Sequence, residues 1–187
     1  MRFLTGLLWA LLFVHCPAVG QSTPDSKRRS VVEQRQAVTE VAVQFVGTRE
    51  IGQNRGPVYT LFIKPYGYGP GTMYCGLFCH HVFVTAAVKH GVQGPALAAN
   101  WARPASVIVW KNSHSVNGRV PLAGDLALYR FGGKRINHVE VIVNWPSLEN
   151  YCWVIGGNTS NPDGKGEGVF LKKRLKSEMI VVSRITF

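Results

Sequence analysis

Charge is scarce in this sequence of 187 residues, where Asp, Glu, Lys and Arg together make up only 17%, against roughly 25% in average proteins. That scarcity excludes a long coiled coil and an acidic disordered tail. Long apolar runs are also missing. None approaches the roughly 18 residues that a membrane helix requires, so no transmembrane span is expected in the mature chain. The patterns G-x-S-x-G, H-E-x-x-H and the P-loop are absent too, which removes the commonest serine-hydrolase, zinc-protease and nucleotide-binding readings. Acids are the rarest charges, 10 against 21 Lys and Arg, for a net charge of +11. Such an excess points to a polyanionic partner or surface. What the chain does have is an apolar fraction of 46% and an aromatic fraction of 11%, ample for a core. Twenty Gly and ten Pro imply many turns and argue against a pure helical bundle. The length suits one domain.

Residues 1–20 have the layout of a secretory signal peptide. Arg2 precedes an apolar stretch from Phe3 to Val14, and Ala18-Val19-Gly20 supplies small residues before Gln21. A lipoprotein anchor at Cys16 is disfavoured by the bulky Val14-His15 ahead of it. Processing removes Arg2 and no acid, so the mature charge is one lower, and the expected location is secreted or periplasmic. It also removes Cys16, leaving Cys75, Cys79 and Cys152. Three is an odd number for an oxidising compartment, so at least one thiol stays unpaired. A Cys79–Cys152 disulfide would satisfy that compartment and leave Cys75 free. Residues 21–30, with Pro24 and Lys27-Arg28-Arg29, read as a polar basic linker, and residues 31–187 as the domain.

From Val31 the spacing of Val38, Val41, Ala42 and Phe45 predicts a helix, with Gly47 placed to end it. Val58 to Ile63 reads as a second, brief helix. After the turn cluster Pro65 to Gly71, a third is predicted from Met73 to about His90, with Thr72 as N-cap and Gly91 as C′ residue. Beyond Gly91 the period changes. Val107 to Trp110 is undecided between strand and helix. Leu126 to Phe131, Val139 to Val143, Tyr151 to Ile155, Gly168 to Lys173 and Met179 to Ile185 are runs of strand length. Helices first and an antiparallel meander afterwards make an α+β layout.

Three residues carry the candidate chemistry. Cys75 falls in the first turn of the third predicted helix, where unpaired N–H groups and the positive end of the helix dipole favour a thiolate. His138 opens one predicted strand, and Asn158 closes the next. A thiol nucleophile, a His to exchange its proton and a polar residue to hold the ring form a Cys-His-Asn arrangement.

In order along the chain stand Gly47-Thr48-Arg49-Glu50, Asn54-Arg55-Gly56-Pro57, Tyr74-Cys75-Gly76-Leu77-Phe78 and Gly124-Asp125-Leu126-Ala127-Leu128-Tyr129. Asn137-His138-Val139 and Gly157-Asn158-Thr159-Ser160-Asn161 follow, then Gly168-Val169-Phe170 leading into Lys173-Arg174. Together these segments resemble the CHAP domains of the papain-like NlpC/P60 superfamily, over about residues 35–185. The resemblance implies an α+β papain-like fold, with N-terminal helices packed on an antiparallel sheet of about five to six strands. It also implies Cys75 as nucleophile, His138 as general base and then acid, and Asn158 as the residue orienting the ring. No cofactor or metal is implied. The implied activity is a secreted cysteine hydrolase cutting amide bonds in the peptide part of peptidoglycan, as endopeptidase or N-acetylmuramoyl-L-alanine amidase. Anionic wall polymers are further partners for a basic surface. The alternatives are a catalytically silent wall-binding module and an acyltransferase of the same fold.

This chain departs from the family pattern at two places. Tyr74 stands where the family has Trp or Asn. Gly156 stands where some members carry a glutamate two residues before the Asn. Glu140 is the candidate replacement, because it shares a strand face with His138; the plainer expectation is an exposed or edge-facing carboxylate. Zinc is set aside, since His80 and His81 point round the helix away from Cys75 and Cys79. Nucleic acid is set aside because the basic residues are dispersed. Asp125 is expected to fix a turn, not to do chemistry.

Overall fold

The computed structural model describes residues 29–103 and 107–185. The expected signal peptide and most of the expected linker lie outside these residues. Arg29 and Ser30, the linker's last two, are already engaged with the domain. Arg29 donates to the Ala86 carbonyl, and Ser30 caps α1 (Val31–Gln44) in a reciprocal capping box with Glu33. Two orphan N–H groups are thereby satisfied where the helix starts. The apolar stripe read from the sequence is the buried one, with Val38, Val41 and Ala42 facing inward.

A π-helical turn (Tyr59–Ile63) occupies the brief second helix and buries Phe62 and Ile63. The third helix, α2 (Cys75–Thr85), is shorter than the sequence suggests at both ends. Its N-cap is Tyr74, not Thr72, whose hydroxyl donates back to Gly69. Its end comes early because Ala87 takes the left-handed conformation at φ 53°. There the Val88 N–H reaches back to the Phe83 carbonyl and the Ala87 N–H to Val84, a closing pattern usually signalled by Gly. Cys75, Gly76, Leu77, Phe78, Cys79, Val82 and Phe83 of α2 are all buried, as expected of a helix that is apolar on nearly every side.

Seven antiparallel strands form one sheet: β1 (Ile108–Lys111), β2 (His114–Ser115), β3 (Leu126–Tyr129), β4 (His138–Asn144), β5 (Tyr151–Ser160), β6 (Glu167–Leu175) and β7 (Met179–Ser183). The order is β2-β1-β7-β3-β4-β5-β6. The predicted meander therefore holds only for β3 to β6. β7 crosses back to fill the place between β1 and β3, which gives seven strands in place of five or six. Alternation sorts the two faces. Leu126, Leu128, Val139, Val141 and Ile155 join α1 and α2 in the main core. Ala127, Tyr129, Ile142, Cys152, Val154 and Val182 form a smaller cluster with Trp110 and Trp145 on the other face.

That division corrects the disulfide expectation. Cys79 belongs to the main core and Cys152 to the cluster across the sheet, so a sheet layer separates their sulfurs. All three cysteines among the described residues are free thiols. Asp125 holds the turn before β3. It accepts from the Leu122 N–H at 2.8 Å and lies buried between Arg35 and Arg184, which ties α1 to the sheet. Among the described residues no helix is long and apolar enough to cross a membrane.

Candidate active site

Cys75 is the first residue of α2, and His138 is the first of β4. α2 packs against β4 and β5, which brings its N-terminus to the end of the sheet where His138 begins. The thiol is buried, with its sulfur 3.9 Å from the Asn137 carbonyl oxygen, and it is close enough to the His138 ring to bear on its charge. Gly76 explains how the loop after α2 closes over this end. A Cβ there would lie 2.2 Å from the Pro95 carbonyl oxygen and 2.9 Å from that of Ala96, so only glycine lets the loop backbone lie against the first turn.

The far side of the imidazole meets Glu140, not Asn158. His138 Nε2 lies 3.1 Å from Glu140 Oε1. A carboxylate only accepts, so Nε2 carries the proton and Nδ1 is the nitrogen left for Cys75. Glu140 is fully buried, which overturns the exposed or edge-facing expectation. Two causes place it there. Arg174, reaching across β5 from β6, clamps it with both Nε at 3.0 Å and Nη2 at 2.8 Å, the bidentate geometry that suits a carboxylate. Gly156 on β5 leaves the room: a Cβ at that position would sit 2.7 Å from Glu140 Cγ and Oε1. The Glu140 side chain thus fills the space from which a residue-156 side chain would project.

These neighbours set the charges. Burial disfavours protonation of His138, but Cys75 and Glu140 beside it outweigh burial and push the ring up to about 9. Burial likewise opposes ionisation of Glu140, and His138 and Arg174 override it, holding the carboxyl down at about 2. Tyr129 and Phe131 stack 5.1 Å apart and wall the ring, with Phe131 5.6 Å from His138. Arg174 lies over both aromatic faces.

Asn158 has another task. A bulge interrupts the β5–β6 pairing between Gly156 and Thr159, and Asn158 sits in it at φ 55°, a conformation Asn tolerates better than most residues. The bulge turns its side chain toward the start of α2, where its Oδ1 accepts from the Tyr74 N–H at 3.0 Å. Its Nδ2 donates to Asn54 at 3.2 Å and Glu167 at 3.3 Å. The sequence pairs Asn158 with the His138 ring; its side chain bonds the Tyr74 N–H instead. Gly157 makes the close approach feasible, since a Cβ there would strike Phe78 and Tyr74. Of the residues singled out in the sequence, Cys75, His138 and Glu140 come together. Arg174, quoted only within the family resemblance, was given no role there; it lies two strands from His138 in the sheet.

No protein-family model matches the chain, and no curated protein matches it. Among solved structures it is similar to a Staphylococcus aureus protein described as similar to a lipoprotein of the NLP/P60 family, at 14% identity and a TM-score of 0.45. The similarity covers 88% of this chain and 45% of that one.

Proposed function

We propose that this chain is a cysteine hydrolase of amide bonds in the peptide part of bacterial peptidoglycan, of the CHAP type within the NlpC/P60 superfamily. One observation carries the hydrolase reading: a cysteine at the first turn of a helix, beside a histidine whose Nε2 is held by a buried, Arg-paired carboxylate. The substrate class rests on the ordered sequence segments that resemble CHAP domains. In this reading Cys75 attacks the carbonyl carbon while His138 holds the proton. The tetrahedral intermediate collapses to a thioester as the amine leaves with that proton. Water, deprotonated by His138, then adds to the thioester, and the acid departs as the thiol is regenerated. Glu140 orients the ring and favours its protonated form; Asn158 positions the helix that bears the nucleophile. The backbone N–H of Cys75, at the start of α2, is the oxyanion donor in this reading, of the kind that contributes most when preorganised.

The test is release of free amino groups from purified peptidoglycan by wild type and by Cys75→Ser at equal concentration. Release is expected from wild type and background from the variant. Equal release by both would remove the cysteine mechanism. Binding to sacculi without release by either would favour a silent wall-binding module.

A further inference from the structure

After α2 the chain turns back along the helix as a strap, residues 88–102, which ends in a 3₁₀ turn (Ala98–Ala102). Its contacts climb α2 in order. The Val88 N–H donates to the Phe83 carbonyl. His90 then meets His80, with His90 Nε2 2.7 Å from His80 Nδ1. Last, the Pro95 and Ala96 carbonyls lie against Gly76, the residue after Cys75. Internal bonds keep the strap in shape: Asn100 Nδ2 donates to the Gln93 and Gly94 carbonyls at 3.0 Å each, and Trp101 Nε1 to the Pro95 carbonyl at 2.9 Å. The Trp101 ring stands 4.9 Å from that of His90. Clefts of about 550 and 570 Å³ share Gly91 as a wall, and His90 lines the first, so solvent reaches the ring.

The hydrogen bonds at His90 fix the protons of both rings. The Val92 N–H donates to His90 Nδ1 at 2.9 Å, so that nitrogen carries no proton. A neutral imidazole has one N–H and one acceptor; the proton of His90 is therefore on Nε2, which donates to His80 Nδ1. The proton of His80 is in turn on Nε2. A second proton fits neither ring. On His90 it would sit on Nδ1 and face the Val92 N–H. On His80 it would sit on Nδ1 and face the N–H of His90. Either way two donors are set against each other at hydrogen-bond distance.

The surroundings offer an imidazolium no counter-charge. From the turn Lys64–Tyr66, the Tyr66 ring stands 4.4 Å from His80 and its hydroxyl 2.9 Å from His81 Nδ1. Phe45 and Phe62 face His81, and Phe83 and Trp101 face His90. The charge that bears on His81 and His90 is that of His80, which repels a second cation. Lys89, beside His90 in the chain, and Lys64, at the head of the Tyr66 turn, have the same sign. Burial acts in the same direction, lowering His80 and bringing His90 down to about 4.

We propose that the His80–His90 pair is an acid-released latch that holds the 88–102 strap on α2. The latch stands independently of the hydrolase reading. Its bearing on that reading is that the strap's last contact is on Gly76, so release frees the helix turn that carries Cys75. The sign follows from the direction of the shift. In a released strap His90 regains the ordinary value near 6.5, and on α2 it is held at about 4. A lowered histidine contributes stability that is full above the released value and is lost as pH falls from about 6.5 toward 4.

The experiment is hydrogen exchange of the full chain, read by mass spectrometry from pH 7.5 to 4.5 and corrected for intrinsic exchange. Protection of the strap amides, that of Val92 included, is expected to fall by about tenfold per pH unit below about 6.5, the slope of one proton taken up on opening. Protection in β3 and β4 is expected to hold. His80→Gln combined with His90→Gln keeps an amide donor and acceptor at each place with nothing to titrate, and should flatten the strap's response. His81→Gln, which touches only the Tyr66 side of the cluster, should leave the response as in wild type. Imidazole nitrogen NMR of the wild type needs no variant to fold: both rings are expected as Nε2–H tautomers at neutral pH, with the His90 midpoint near 4. Strap protection that does not change with pH, a loss shared equally by β3 and β4, a wild-type response in the double variant, or an Nδ1–H tautomer at His90 would each overturn the latch.

Discussion

Glu140→Gln preserves shape and removes one charge, so it isolates what the carboxylate does for His138. The ring stands at about 9 in the folded protein, against an ordinary value near 6.5. At about 1.4 kcal/mol per unit, that difference is roughly 3 kcal/mol in favour of the imidazolium, gained in spite of burial and shared between Glu140 and Cys75. Assigning about half to Glu140 gives a loss of about 1–2 kcal/mol and a fall of about one unit in the ring's midpoint. The sign follows from the direction of the shift. A raised histidine contributes stability and imidazolium that are full below its unfolded value and vanish as pH rises through about 9. The alkaline limb of activity should therefore lie near 9 in wild type and move downward in the variant. Near neutral pH the rate should fall about 10²-fold, because the Gln amide also loosens the ring that must exchange the proton. Arg174 loses its counter-charge, so the protein should melt earlier as well, as happens when one partner of a buried pair is removed. The assays are amino-group release from peptidoglycan and iodoacetamide labelling of Cys75, each followed across pH, with thermal melting to show that the variant is folded. A folded Glu140→Gln protein with the wild-type alkaline limb would refute Glu140 as the residue that sets His138.

Asn158→Ala should behave differently, because its amide holds the Tyr74 N–H and not the ring. A loss of about 1–3 kcal/mol in stability, from one hydrogen bond and a left-handed backbone on Ala, should come with lower activity but an unmoved alkaline limb. Asn158→Gly should recover the backbone part of that loss alone, and a shifted limb in either variant would return Asn158 to the ring. Gly76→Ala should lower stability by about 1–3 kcal/mol, because the new methyl meets the backbone oxygens of Pro95 and Ala96, which have no rotamer to yield. A melting temperature unchanged from wild type would show that the loop after α2 does not clamp the helix.

The parts of the fold legible in the sequence are those set by local chemistry. The stripe Val38, Val41 and Ala42 marks α1, and the unbroken apolar run Leu126 to Tyr129 marks a strand buried on both faces. Cys75 and His138 are legible for a related reason: each opens an element just after a turn-rich segment, where side chains of different elements can meet. What stayed hidden depends on pairings across long sequence separations. Nothing local to Met179 to Ser183 says that β7 returns to β3, and Ala87 ends α2 without the Gly that normally marks a left-handed stop. The bulge at Gly157 and Asn158 is the most consequential omission. A regular strand would have left Asn158 beside the sheet residues that flank His138. One extra position turns it toward Tyr74 and hands its expected role to Glu140.

The burial of a carboxylate at Glu140 has a physical logic that joins Gly156, Glu140 and Arg174. A carboxylate beside His138 must be buried, and a buried carboxylate needs both space and compensation. β5 supplies the space by having no side chain at Gly156, and β6 supplies the compensation through Arg174. Arg174 also limits how strongly Glu140 binds the proton of His138. Because both guanidinium bonds pull on the same two oxygens, Glu140 stays ionised, at about 2, instead of taking the proton for itself. The positive ring is favoured by the ionised carboxylate against which it stands. A side chain at residue 156 would compete with Glu140 for the same volume, so the glycine and the glutamate form one feature of the site, written on two strands.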